Sequence, residues 1–133
     1  MLTRLDNFDL HFSLGGYDFH VSNIVLEQFE RSIPRHSHSK NSYEIHYIPF
    51  GYGKASINGK DYEVTPNTLF ITGPFVEHAQ IPNCQDPMCE YCIYLKLGHS
   101  SFPVSSAPEK KLTALFKKTN FWFGQDTQDI HSL

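Results

Sequence analysis

Residues 34–51, PRHSHSKNSYEIHYIPFG, limit the possible folds more than any other stretch of the chain. His36 and His38 stand two apart, and in an extended segment side chains at i and i+2 leave the same face. A polar turn at 39–42 follows. Residues 43–48 then alternate, with Glu44, His46 and Ile48 on one face and Tyr43, Ile45 and Tyr47 on the other. A period of two defines a strand. Its Tyr/Ile face packs on something, and its second face carries Glu44 and His46. Downstream, TGPFVEHA at 72–79 delivers His78 just after a Gly-Pro turn, at the opening of another strand.

The same grammar runs through most of the chain. Residues 8–21 hold two alternating segments around Gly15-Gly16, the pattern of a β-hairpin. Residues 24–31 read as a further strand that stops before Pro34, which cannot donate to a ladder and is confined to strand ends and sheet edges. KASINGKDYEV at 54–64 is a hairpin centred on Asn58-Gly59, a dipeptide suited to the two positive φ angles of a type I′ turn. Short strands follow at 68–72, at 77–82 and at 89–97, the last with Ile93, Leu95 and Leu97 on one face. About eight short strands with turn signals between them, and no helical pattern among them, predict a β-sandwich or barrel.

Size and charge exclude several classes. A chain of 133 residues with 40% hydrophobic content supports one core. A formal charge of −3 is not the basic footprint of a nucleic-acid binder, so any DNA contact must come from elsewhere. No apolar run is long enough for a membrane helix, and MLTRLDNFDL is too charged for a signal peptide, which predicts a cytoplasmic protein. Cys84, Cys89 and Cys92 make an odd count, against a disulfide framework. Cys92 falls in the apolar run CEYCIYLKL and reads as a small core residue, although Cys89 and Cys92 have the C-x-x-C spacing of a half zinc site. No G-x-S-x-G elbow and no phosphate-cradling glycine loop is present.

The pair of fragments, H-x-H then Glu44 and Gly51, followed by a Pro turn and the solitary His78, resembles the cupin family. That resemblance implies a mainly β fold, an antiparallel β-barrel of jelly-roll type with a site in its mouth. His36, His38, Glu44 and His78 match the positions of cupin metal ligands, a set suited to Zn, Ni, Mn or Fe. The chain departs from the enzyme pattern where glycines are replaced by Glu30 and Phe75, and where Pro82 stands in place of an asparagine. Three readings stay open: a metal site, an apo pocket for a small polar ligand, or hydrogen-bonded histidines without a ligand. His46 shares the strand face of Glu44 and reads as a pocket residue or as a histidine at the rim. Tyr94 shares a face with Cys92 and reads as pocket lining or, more simply, as core packing. Both are carried with His36, His38, Glu44 and His78 as the ligand-binding set. His11, His20, His99 and His131 read as surface residues.

Beyond the linker FPVSSAP the period changes. Leu112, Leu115 and Phe116 follow helical spacing, with Pro108 and Glu109 at the helix start. Phe121-Trp122-Phe123-Gly124 interrupts that helix, and Asp126 or Thr127 is placed to cap another running towards Leu133. A helix halted after about two turns is marginal by itself, which predicts a fragment of a longer protein. The order of parts resembles the sensor half of AraC-type transcription regulators. That implies a cupin-like sensing barrel at 1–101, then a linker and the start of helical dimerisation at 102–133, with the DNA-binding domain absent from this chain. The expected function is effector binding and dimerisation with no enzymatic activity. The expected partners are a sugar or small acid, a second copy in a homodimer, DNA only through the missing half, and no membrane. The alternative is a metal-dependent small cupin enzyme, an isomerase or dioxygenase.

Overall fold

Paired positive φ angles mark the tightest reversals of the chain. Gly15 and Gly16 turn it at φ +61° and +79°, and Asn58 and Gly59 at +50° and +80°, as their sequences demand. The computed structural model describes residues 2–128. They form, in order, β1 (Leu2–Leu5), β2 (Leu10–Leu14), β3 (Tyr17–Gln28), β4 (Ile33–His36), β5 (Ser42–Phe50), β6 (Gly53–Ile57), β7 (Lys60–Val64), β8 (Thr68–Thr72), β9 (His78–Pro82), β10 (Cys89–His99), α1 (Ala107–Lys118) and β11 (Phe121–Gln125). No helix among them is long and apolar enough to cross a membrane.

Two antiparallel sheets result. The larger runs β1-β3-β10-β5-β8-β11, with β2 also on β3; the smaller runs β4-β9-β6-β7. Side-chain alternation gives each strand an inner and an outer face. Ile48 and Phe70 of the larger sheet meet Ala55, Ile57 and Val64 of the smaller in one apolar layer, completed by Phe29, Val76 and Met88. On the outer face of the larger sheet, Tyr17, Phe19, Val21, Leu95 and Leu97 pack under Leu112 and Phe116 of α1. The sheet is therefore covered on both sides, and α1 is held by packing. Its start is also fixed: Ser106 accepts from the Glu109 backbone while the Glu109 carboxylate accepts from the Ser106 backbone, a capping box.

Three expectations are corrected. First, the barrel is not closed. The edge strands of the two sheets share no ladder among the described residues. The smaller sheet has strands of only four or five residues, whereas β3 and β10 have twelve and eleven. The short strands cannot wrap the long ones, so side chains close the gap. Second, residues 24–28 are no separate strand. They continue β3, whose first half pairs β2 and whose second half pairs β1. Third, among the described residues α1 is the one helix after β10. Residues 121–125 add β11 to the free edge of β8. Phe123 stacks near Tyr62 and Phe70, with ring centroids 4.7 and 5.6 Å away. An aromatic alternating run beside an open edge gains more from the ladder and this packing than from helix. Residues 126–128 are not helical; the remainder of the second expected helix lies outside the described residues.

Candidate functional site

Pro34 sits in β4, at the edge of the smaller sheet, where its missing N–H does no harm. This strand brings His36 into register with His78 of β9. The chain runs on to His38, whose carbonyl accepts from the Phe75 backbone N–H at 2.9 Å and so ties it to the turn ahead of His78. Glu44 comes from β5 of the larger sheet. The four residues therefore converge from both sheets, and one ligand atom from each lies within 4.8 Å of all the others. Glu44 and His78 are buried; His36 and His38 are partly open to solvent. Tyr94, in register with Glu44, places its ring 6.4 Å from that of His38.

Proton positions follow from the hydrogen bonds. Nδ1 of His36 lies 2.8 Å from the Pro34 carbonyl, and Nδ1 of His78 lies 3.0 Å from that of Val76. A carbonyl only accepts, so each Nδ1 carries a proton and donates, and each ring turns its Nε2 to the centre. Nε2 of His78 then faces Oε2 of Glu44 at 2.9 Å. A proton shared between the two atoms, or a metal ion in its place, fits that distance. His38 repeats the pattern: its Nε2 is 2.8 Å from the same oxygen, yet it is buried without a properly directed hydrogen bond. Such an orphaned nitrogen is costly unless something fills it. Three imidazoles, one carboxylate and backbone carbonyls orienting two of the rings fit a divalent transition metal.

Behind this cluster lies a second polar layer. His46 points inward from the same face of β5, with its ring stacked on Phe70 at 4.2 Å. Its Nδ1 is 3.1 Å from Oε2 of Glu90, and its Nε2 is 3.5 Å from Oε2 of Glu44 and 3.3 Å from Oγ1 of Thr72. Gln80 Nε2 donates to the same Glu90 oxygen. Burial by itself would raise the Glu44 carboxyl, but hydrogen bonds from His46 and His78 outweigh it and hold Glu44 well below the usual carboxylate range. Burial disfavours the charged His46 ring, but Glu90, Cys92 and Glu44 around it push its basicity well above the ordinary value. The imidazolium of His46 thus links two buried carboxylates. Burial raises the Cys92 thiol to about 11, which makes it a packing residue and a poor metal ligand. Burial also raises the Tyr94 phenol and keeps it a neutral hydrogen-bonding group.

Every sequence-derived site residue thus reaches one region: His36, His38, Glu44 and His78 at its open end, Tyr94 beside His38, and His46 one layer deeper. Glu90, Gln80 and Thr72 were missed. A signal existed for two of them. Glu90 stands two before Cys92 on β10 and Gln80 two after His78 on β9, so period two already puts them on the inner faces. The cysteines do not gather. Cys84 is exposed and Cys89 half-buried, and no ligand cluster among the described residues holds more than one cysteine.

Two facing antiparallel sheets with imidazoles and a carboxylate gathered between them define a cupin-like ligand-binding module. The family model of the AraC-like ligand binding domain matches residues 26–99, more than half of the chain, and the chain belongs to that family. Among solved structures, the protein YhaK from Escherichia coli is 10% identical with a TM-score of 0.60, covering 96% of this chain and 52% of its own, which supports the fold alone. A cupin protein from Bacteroides fragilis is 22% identical with a TM-score of 0.49, over 68% of this chain and 73% of that one. The bacterial pirin YhhW from Escherichia coli, in complex with nickel(II), is 14% identical with a TM-score of 0.46, over 80% of this chain and 60% of that one. No curated protein matches the chain.

Proposed function

We propose that this chain is the effector-binding and dimerisation part of an AraC-type transcription regulator, and that the effector is a small polar molecule, a sugar or a small acid. The convergence of His36, His38, Glu44 and His78 from the two sheets, at the solvent-open end of a polar interior, carries this reading. In it, residues 1–101 sense the effector and residues 102–133 lead towards the dimer interface and the DNA-binding half. The protein acts in the cytoplasm as a homodimer, with no enzymatic step, and the larger regulator supplies the DNA contact.

The four residues are also the ones that would hold a divalent zinc, nickel, manganese or iron ion. When bound, the ion would supply a Lewis-acidic point for a hydroxyl or carboxylate oxygen. The chain's own residues do the rest. Pro34 and Val76 carbonyls orient two of the rings, His46 and His78 hold Glu44 ionised, and Tyr94 offers a neutral hydroxyl beside His38. Effector binding need only favour one arrangement of two subunits over another by a few kcal/mol.

The test has two arms. The coding sequence read past Leu133 is expected to encode helix-turn-helix units; a stop soon after Leu133 would remove the regulator reading. Thermal-shift measurements with sugars and small acids, on metal-loaded and chelated protein, should then find a stabilising effector whose effect His38→Ala abolishes. The same ligand set supports a second reading, a metal-dependent isomerase or dioxygenase. That reading requires stoichiometric transition metal after purification, and elemental analysis finding none would eliminate it.

A further inference from the structure

A second cluster of metal-ligating groups lies away from the first, on the hairpin of β2 and β3. Alternation places Phe8, Leu10, Phe12 and Leu14 on one face of the β2 segment and Asp9, His11 and Ser13 on the other. His11 stands directly across from His20 of β3. Cross-strand neighbours of this kind bring their side chains together without any long-range packing. Here the two imidazoles stack, with centroids 4.1 Å apart and planes only 9° from parallel. Nε2 of His11 is 2.8 Å and Nε2 of His20 is 3.1 Å from the same oxygen, Oδ1 of Asp9. The Asp9 oxygen can accept from both rings, and a cation taking the place of those two protons would meet the same three atoms. All three atoms lie within 4.8 Å of one another.

We propose that Asp9, His11 and His20 form a second, surface metal site for a late first-row divalent cation such as zinc, nickel or copper. Two imidazole nitrogens and one carboxylate oxygen select those ions over magnesium or calcium, which want oxygen ligands throughout. The side chains are solvent-facing, so water fills the remaining coordination positions. The ladder between β2 and β3 fixes the two backbone positions, and the stacked rings need only turn about their side-chain bonds to aim both nitrogens at one ion. Its consequence is local: β2, exposed at every residue and paired only to β3, becomes pinned to its neighbour at the edge of the larger sheet. Lys96 of β10 is in register with His20 and brings an opposing charge to that rung. This site is independent of the cluster around Glu44 and of the function proposed for it.

Zinc titration of the 133-residue chain, read by NMR of the imidazole side chains, tests the assignment. The His11 and His20 signals are expected to shift in step, separately from those of His36, His38 and His78. His20→Asn should abolish that step while the backbone amide spectrum and the response of the other histidines persist. Asp9→Asn should weaken the step and Lys96→Met strengthen it. His11 and His20 signals that stay still up to millimolar zinc would overturn the proposal. So would a His20→Asn chain that binds as many equivalents as the parent.

Discussion

Nε2 of His78 lies 2.9 Å from Oε2 of Glu44, with both side chains buried, one from each sheet. This polar contact joins the sheets where the neighbouring contacts join them through apolar surface. Replacing His78 by alanine leaves a buried carboxylate short of a partner. The expected loss of stability is about 3–5 kcal/mol, measured by urea unfolding, and Glu44→Gln/His78→Ala together should cost less than the sum of the two changes made separately. Additive losses would mean the pair does not act as a unit.

Phe70 is fully buried and stacks on both His46 and Phe123. Phe70→Ala should destabilise the fold by about 3–5 kcal/mol through lost transfer energy and the cavity left behind. Phe75, 69% exposed, is the contrast. Phe75→Ala should change stability by no more than about 0.5 kcal/mol. Equal losses at the two positions would contradict the packing described.

Two turn glycines share a left-handed backbone but differ in their surroundings. Gly51 has φ +77°, and a Cβ there would stand 2.3 Å from the Pro87 carbonyl oxygen. Gly59 has φ +80° and nothing within 4 Å of such an atom. Gly59→Ala should cost about 1–2 kcal/mol from backbone strain alone. Gly51→Ala should cost clearly more, because a backbone atom must also move. Calorimetry on both variants gives the order.

The start of α1 should respond to acid. Backbone and side-chain hydrogen bonds from Ser106 lower the Glu109 carboxyl from its ordinary 4.5 to about 2. A carboxylate depressed in the folded state stabilises it above the unfolded value, and the effect is lost as pH falls through the folded one. The gap in melting temperature between the parent and Glu109→Ala should therefore be full above pH 4.5 and close towards pH 2. A gap that stays constant through that window would exclude the capping carboxylate as its source. Ser106→Ala should lower stability by about 1 kcal/mol at neutral pH.

Zinc loaded into the Glu44 cluster should be lost in acid. The imidazole nitrogens bind only when deprotonated, so zinc content, followed by elemental analysis after dialysis, should fall as the medium is made acidic. His36→Ala should remove it at neutral pH, whereas His99→Ala, at an exposed position, should not.

By itself the sequence determined the local structure. Period two assigned Glu44, His46 and Ile48 to one face and paired His36 with His38, and Gly15-Gly16 and Asn58-Gly59 fixed their turns. These features depend on neighbours one to four residues away. Only the tertiary structure decided the rest. Whether the sheets close into a barrel depends on relative strand lengths and edges, which no local pattern records. The aromatic run at 121–125 carries no sign of the open β8 edge that captures it, and Glu90 does not announce that His46 and Gln80 will meet its carboxylate. The pairing of His11 with His20 was within reach, because one hairpin register sets it. Their common approach to Asp9 was not, since it depends on side-chain directions that appear only once the ladder has formed.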